Sequence, residues 1–129
     1  MAHPNEDLIR RGYEAFASGD VATLNELFAD DIVWHTPGRS PISGDQNGKQ
    51  SVLEFFGRIG EETGGTFKLD IHDVLANDEH VVVLSGSKGE RNGKSLDANV
   101  VNIFHLKDGK VTEVWGHADD VYAVDEFWS

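Results

Sequence analysis

A chain of 129 residues is expected to form one domain spanning residues 1–129, long enough to bury roughly two-thirds of its unfolded surface. Its 11 Lys and Arg against 23 Asp and Glu leave a formal charge of −12, which excludes the basic stripe that nucleic acid or an anionic membrane would require. Cys is absent, so disulfides, thiolate metal ligands and thiol nucleophiles are ruled out, and with no apolar run of signal-peptide or membrane-span length the expected location is cytoplasmic.

From Asn5 onward, Leu8, Ile9, Tyr13, Ala15 and Phe16 recur at helical spacing until Ser18-Gly19-Asp20 breaks the pattern. Asp20 caps a second predicted helix over residues 21–28, with Leu24, Leu27 and Phe28 on one side. Residues 31–36 read as the first strand, which delivers Trp34, His35 and Thr36 to a loop broken by Pro37, Gly38, Pro41 and Gly44. Val52, Leu53, Phe55, Phe56 and Ile59 then mark a third amphipathic helix over residues 49–59, closed by Gly60, Gly64 and Gly65.

Beyond that point the period changes to two. Phe67, Leu69 and Ile71 alternate with Lys68, Asp70 and His72 in a half-buried strand. Residues 80–87 contain the continuous run Val81-Val82-Val83-Leu84, which suggests burial on both faces. Asn92-Gly93 and Asp108-Gly109 are hairpin turns flanking a long strand over residues 96–106, and residues 111–118 form the last strand. Asp119-Asp120 are positioned to cap a short terminal helix ending near Phe127-Trp128. The fold class is α+β: three helices packed on one curved, mostly antiparallel sheet, forming a cone.

FASGD at the end of the first helix, LNELFADDIVWHTPG, ISGDQNGKQSVLEFF, FHLKDGKVTEVWGHADD and the terminal YAVDEFW together resemble the nuclear transport factor 2-like superfamily. Within it they resemble the SnoaL-like, polyketide-cyclase-related branch, a cystatin-like α+β roll. This resemblance implies the fold and says less about chemistry, because the fold hosts isomerases, epoxide hydrolases, dehydratases, cyclases and non-catalytic binders. It also implies a homodimer formed through the convex sheet face.

Matched against ketosteroid isomerases, the general-base Asp before the strand-end Pro is replaced by Thr36, and the oxyanion Asp is replaced by Asn102, with Tyr13 beside the expected Tyr position. Thr is too weak a base at neutral pH, so the chain is not read as a ketosteroid isomerase. The Trp115-Gly116-His117 stretch resembles the last strand of limonene-epoxide hydrolases, with His in place of their water-activating Asp. Their Asp-Arg-Asp relay has no counterpart beyond Asp97 and Arg91. A one-residue change of register there exchanges Trp115 and His117 for Val114, Gly116 and Ala118 on the concave face.

The resulting candidates are His117 and His35 for proton transfer and Asn102 as donor to a carbonyl or oxyanion. Tyr13, Trp34, Phe56, Trp115 and Asp119 are candidates for ligand contact. Of Trp34 and His35, whichever faces the cavity sends the other outward. His72 and His80 are expected on the surface and His105 on the convex face. GDQNGK lacks phosphate-loop spacing, and no His, Asp and Glu set has metal-ligand spacing. Neither a metal nor a cofactor is expected.

Three readings of function follow. One is a cofactorless isomerase, cyclase, lyase or hydrolase-type enzyme using His on a small, apolar, oxygen-bearing substrate. Another is a non-catalytic ligand-binding or accessory module. A third, an interaction domain whose cavity its own side chains fill, would leave no pocket at all.

Overall fold

The computed structural model describes residues 2–129. Helix α1 (Pro4–Ser18) starts with Pro4 in its first turn and ends at Gly19, whose φ of 72° supplies the left-handed turn that stops a helix. Helix α2 (Val21–Leu27) is capped by Asp20, which accepts from the Thr23 backbone N–H at 3.1 Å and from its hydroxyl at 2.6 Å. The chain then passes directly into strand β1 (Phe28–Thr36), three residues earlier than the sequence suggests, because Phe28 is already extended and buried. A short strand β2 (Gly44–Asn47) follows, then α3 (Lys49–Glu62), β3 (Lys68–Ala76), β4 (His80–Arg91), β5 (Lys94–Lys107), β6 (Lys110–Ala118) and α4 (Val121–Trp128).

The six strands form one sheet in the order β2-β1-β6-β5-β4-β3. Every neighbouring pair is antiparallel except β1 with β6. Both tight hairpins carry two successive residues at positive φ, Asn92 and Gly93 at 51° and 76°, and Asp108 and Gly109 at 53° and 75°. This is the twist-matched turn that the Asn-Gly and Asp-Gly pairs announce.

Helices α1, α2 and α3 cover the inner face, where Ile9, Leu27, Ile32, Val52, Val81, Val83, Phe104 and Val114 form the main core. A second cluster, with Ile42, Phe55, Leu96, Phe127 and Trp128, sits under α4. In β4 the burial alternates: Val81 and Val83 are fully buried, whereas Val82 and Leu84 are only half-buried. The apolar run therefore does not signify burial on both faces. Its outward residues, half-buried Val82 and Leu84, belong to an apolar outer face that no helix among the described residues covers. No helix among the described residues is long and apolar enough to cross a membrane.

One irregularity decides which side chains reach the inside. Leu106 pairs with Val111, but His105 pairs with Glu113, so Thr112 is an extra residue in β6. The Thr112 hydroxyl donates to the His105 carbonyl at 3.3 Å and accepts from His105 Nδ1 at 2.6 Å, which clamps the bulge. Val111 and Val114 are both fully buried although they are three residues apart. Beyond the bulge, Val114, Gly116 and Ala118 point inward while Glu113, Trp115 and His117 point outward.

Candidate functional site

Between the helices and the inner sheet face lies a cavity of about 160 Å³. Its floor is aromatic. Trp34 from β1 meets Phe56 of α3 edge to face at 5.0 Å and Phe104 of β5 at 5.9 Å, and Tyr13 of α1 meets Phe104 at 6.0 Å. The rim is formed by Pro37, Ser40 and Ile42 of the β1–β2 loop with Val124 and Trp128 of α4. Loop and helix are joined by Asp125, whose two carboxylate oxygens each accept from the Arg39 backbone N–H at 3.0 Å. Gly38, at φ 94°, lets the loop approach that carboxylate, because a Cβ there would stand 2.9 Å from Asp125 Cγ.

Polar side chains interrupt the apolar walls: Tyr13 from α1, Thr36 from β1, Ser87 from β4 and Asn102 from β5, with Ser40 at the rim. Asn102 Nδ2 donates to the Tyr13 hydroxyl at 3.2 Å. Burial pushes the Tyr13 phenol up to about 12, only partly offset by the bond from Asn102, so at neutral pH it is a protonated phenol. The Thr36 hydroxyl lines the same pocket, buried and without a hydrogen-bond partner among the described residues. Between Thr36 and Asn102 lies Gly116: Asn102 pairs with Gly116, and His35 pairs with Trp115, which sets Thr36 beside Gly116. A Cβ at Gly116 would lie 3.2 Å from both Asn102 Oδ1 and Pro37 Cδ, so the glycine lets the amide and the proline ring pack closely against β6.

Of the residues singled out from the sequence, Tyr13, Trp34, Phe56 and Asn102 line this pocket and Trp115, His117, His35 and Asp119 do not. His117 and Trp115 stand on the outer face, across from Val101 and Ile103 of β5. This corrects the expectation that they face the hollow, and the physical reason is the extra residue at Thr112. Asp119 is exposed and accepts from Asn99 Nδ2 at 3.4 Å, while Asp120 is the cap of α4, accepting from the Ala123 N–H at 3.1 Å.

His35 also faces outward, because Trp34 occupies the inward position of β1. It lies within 2.6 Å of two carboxylates, donating from Nδ1 to Asp45 and from Nε2 to Glu113. Two carboxylates facing its two ring nitrogens favour the imidazolium form. Its pKa is raised by the bond to Glu113 first and then by that to Asp45. Its ring stacks on Trp115 at 6.0 Å and 17°. Asp45 lies on β2, the strand the sequence does not reveal, so this cluster could not be anticipated. His105 and His80 meet on the same outer face with ring centroids 5.1 Å apart, whereas His72 is exposed at the β3 irregularity. Among the described residues no group of three His, Asp or Glu side chains is arranged to hold a metal ion.

Among the described residues, the pocket lining contains no Asp, Glu, Lys, Arg or His. What the arrangement offers chemically is therefore shape, aromatic surface and a corner of neutral hydroxyl and amide groups.

Comparison with known proteins gives a consistent picture. The SnoaL-like domain family model matches residues 9–114. An uncharacterised protein of Mycobacterium tuberculosis is 32% identical over 124 residues, covering 95% of each chain. The solved structure of Bal32a, from a soil-derived mobile gene cassette, is 47% identical and superposes with a TM-score of 0.94, covering 97% of this chain and 96% of its own. A protein of unknown function with a cystatin-like fold from Xanthomonas campestris is 30% identical with a TM-score of 0.92, covering 98% and 99% of the two chains.

Proposed function

This chain belongs to the SnoaL-like domain family, and from that premise we propose that it binds an uncharged, ring-sized, oxygen-bearing apolar molecule in the pocket between its helices and its sheet. The observation that carries this reading is the lining. It is built from aromatic and aliphatic side chains with a few hydroxyl and amide groups, and it contains no ionic side chain. A charged ligand would lose its hydration there without gaining a counter-charge, a loss of several kcal/mol or more. A neutral arene loses little and gains dispersion contacts on all sides. An apolar protein cavity of about 150 Å³ accommodates a benzene ring, so this pocket, with an open rim, suits one or two fused rings.

Binding is favoured over His-driven catalysis. The proton-transfer candidates His35 and His117 stand on the other side of the sheet, and the titratable group in the lining, Tyr13, is a weak acid near 12. The reading as an isomerase, cyclase or lyase driven by those histidines is therefore not retained. Naphthalene added to the protein should raise its melting temperature with increasing concentration, as any ligand specific to the folded state must. 2-Naphthoate, of similar shape but anionic, should leave it unchanged. No stabilisation by naphthalene, or equal stabilisation by the carboxylate, would contradict the proposal.

The reading extends to a homodimer in the cytoplasm. Its support is the outer sheet face, where Val82, Leu84, Val101, Ile103 and Trp115 are half-buried and Leu75 is 52% exposed with no helix above them. Sedimentation equilibrium of the wild type and of Trp115→Glu tests it: a dimer that becomes a monomer is expected, and a monomeric wild type would refute it.

A further inference from the structure

Resting on the pocket reading above, we infer that the ligand's oxygen is a hydroxyl that donates and accepts at once, held at the corner formed by Tyr13, Asn102 and Thr36. The phenol of Tyr13 accepts from Asn102 Nδ2, and neither its own O–H nor Asn102 Oδ1 has a partner among the described residues. That leaves one donor and one acceptor on two hydrogen-bonded side chains that both line the cavity. Rotating the amide by 180° exchanges the roles, with Tyr13 donating to Oδ1, and the pair still presents one acceptor and one donor. The corner is therefore amphoteric in either arrangement.

Three ligand groups can be compared at this corner. An ether or a ketone satisfies the donor and leaves the acceptor unpaired in an apolar site, at a cost of roughly 1–3 kcal/mol. A carboxylate satisfies the donor but brings an uncompensated charge. A hydroxyl on an aromatic or enol carbon satisfies both. The Thr36 hydroxyl, buried and unpartnered, supplies a further group of either sense on the far side of Gly116. Gly116, between Thr36 and Asn102, lets the Asn102 amide lie close against the β6 backbone, since a Cβ there would stand 3.2 Å from Asn102 Oδ1. The class that fits is an uncharged hydroxylated arene of one or two rings.

Isothermal titration with 2-naphthol and with 2-methylnaphthalene, which differ only by hydroxyl for methyl, tests the assignment. 2-Naphthol should bind the wild type roughly tenfold or more tightly, the effect of two neutral hydrogen bonds in a desolvated site. In Tyr13→Phe and in Asn102→Leu, which keep the ring and the bulk respectively, the preference for 2-naphthol over 2-methylnaphthalene should fall to about twofold or less. Equal binding of the two arenes to the wild type would overturn the hydroxyl inference and leave the pocket reading standing. A preference that survives in both variants would also overturn it. Binding of neither arene would remove the pocket reading itself.

Discussion

Asn102 on β5 and Tyr13 on α1, 89 residues apart, are joined inside the cavity by a hydrogen bond of 3.2 Å. The bond ties the first helix to the middle of the sheet at the point where the otherwise apolar pocket becomes polar. A buried amide and phenol persist in such a place only when they satisfy one another or a guest.

Tyr13 should therefore titrate abnormally. Absorbance at the phenolate band should show one of the two tyrosines ionising only near 12, and Tyr13→Phe should remove that late step. Because the folded-state value is raised above the unfolded value of 10, the protonated phenol contributes stability that is fully present below pH 10. That contribution is lost as pH rises towards 12. A single step at the ordinary tyrosine value in the wild type would mean that the ring is not buried as described.

His35 makes a pH-dependent contribution on the other side of the sheet. Its pKa is raised by Glu113 and Asp45, so its stabilising effect is fully present below the ordinary imidazole value of 6.5 and fades as pH climbs through its own higher value. The unfolding free energies of the wild type and His35→Gln should differ most at pH 6 and converge in alkaline solution. The difference should be modest, since the side chains of His35, Asp45 and Glu113 are 30%, 57% and 38% exposed. A gap that widens with pH would contradict the imidazolium assignment.

Two glycines should respond in opposite senses to alanine. Gly38→Ala forces a side chain into φ 94° and against the Asp125 carboxylate, and should cost about 2 kcal/mol or more while loosening the loop from α4. Gly57→Ala lies within α3, where a Cβ meets nothing within 4 Å, and should stabilise by about 0.5–1 kcal/mol. Urea denaturation midpoints of the two variants check both signs.

Much of the molecule is legible in the sequence. Helical spacing gives α1 and α3, and Asn-Gly and Asp-Gly give both hairpins, because these signals are local. β2 is not legible: Gly44-Asp45-Gln46-Asn47 has no apolar alternation and exists only because β1 offers an edge. Phe56 is visible as an apolar position at helical period, whereas the sequence leaves open which of Trp34 and His35 faces in. The facing of β6 is not visible, because an unbroken alternation from Val111 would carry Glu113, Trp115 and His117 inward, and a single bulged residue reverses that. The bulge is fixed by a cross-strand side-chain contact, here with His105 across the hairpin, which alternation along one strand does not reveal.

Thr112 can be tested directly. Deleting it should either turn Trp115 and His117 into the core or break the β5–β6 pairing, and cooperative urea unfolding should be lost. Thr112→Val keeps the residue count and removes only the hydroxyl clamp to His105, so it should fold normally with a loss of about 1 kcal/mol. A deletion variant as stable as Thr112→Val would mean that the bulge does not set the face.

The most direct measurement is an NMR titration of the wild-type protein with 2-naphthol, following the indole N–H signals, the Asn102 side-chain amide and the histidine rings. Progressive shifts confined to Trp34, Trp128 and Asn102, with Trp115, His35 and His117 unmoved, are expected. Shifts centred on Trp115 and the outer-face histidines, or no saturable shifts at all, would contradict a ligand-binding pocket on the inner face.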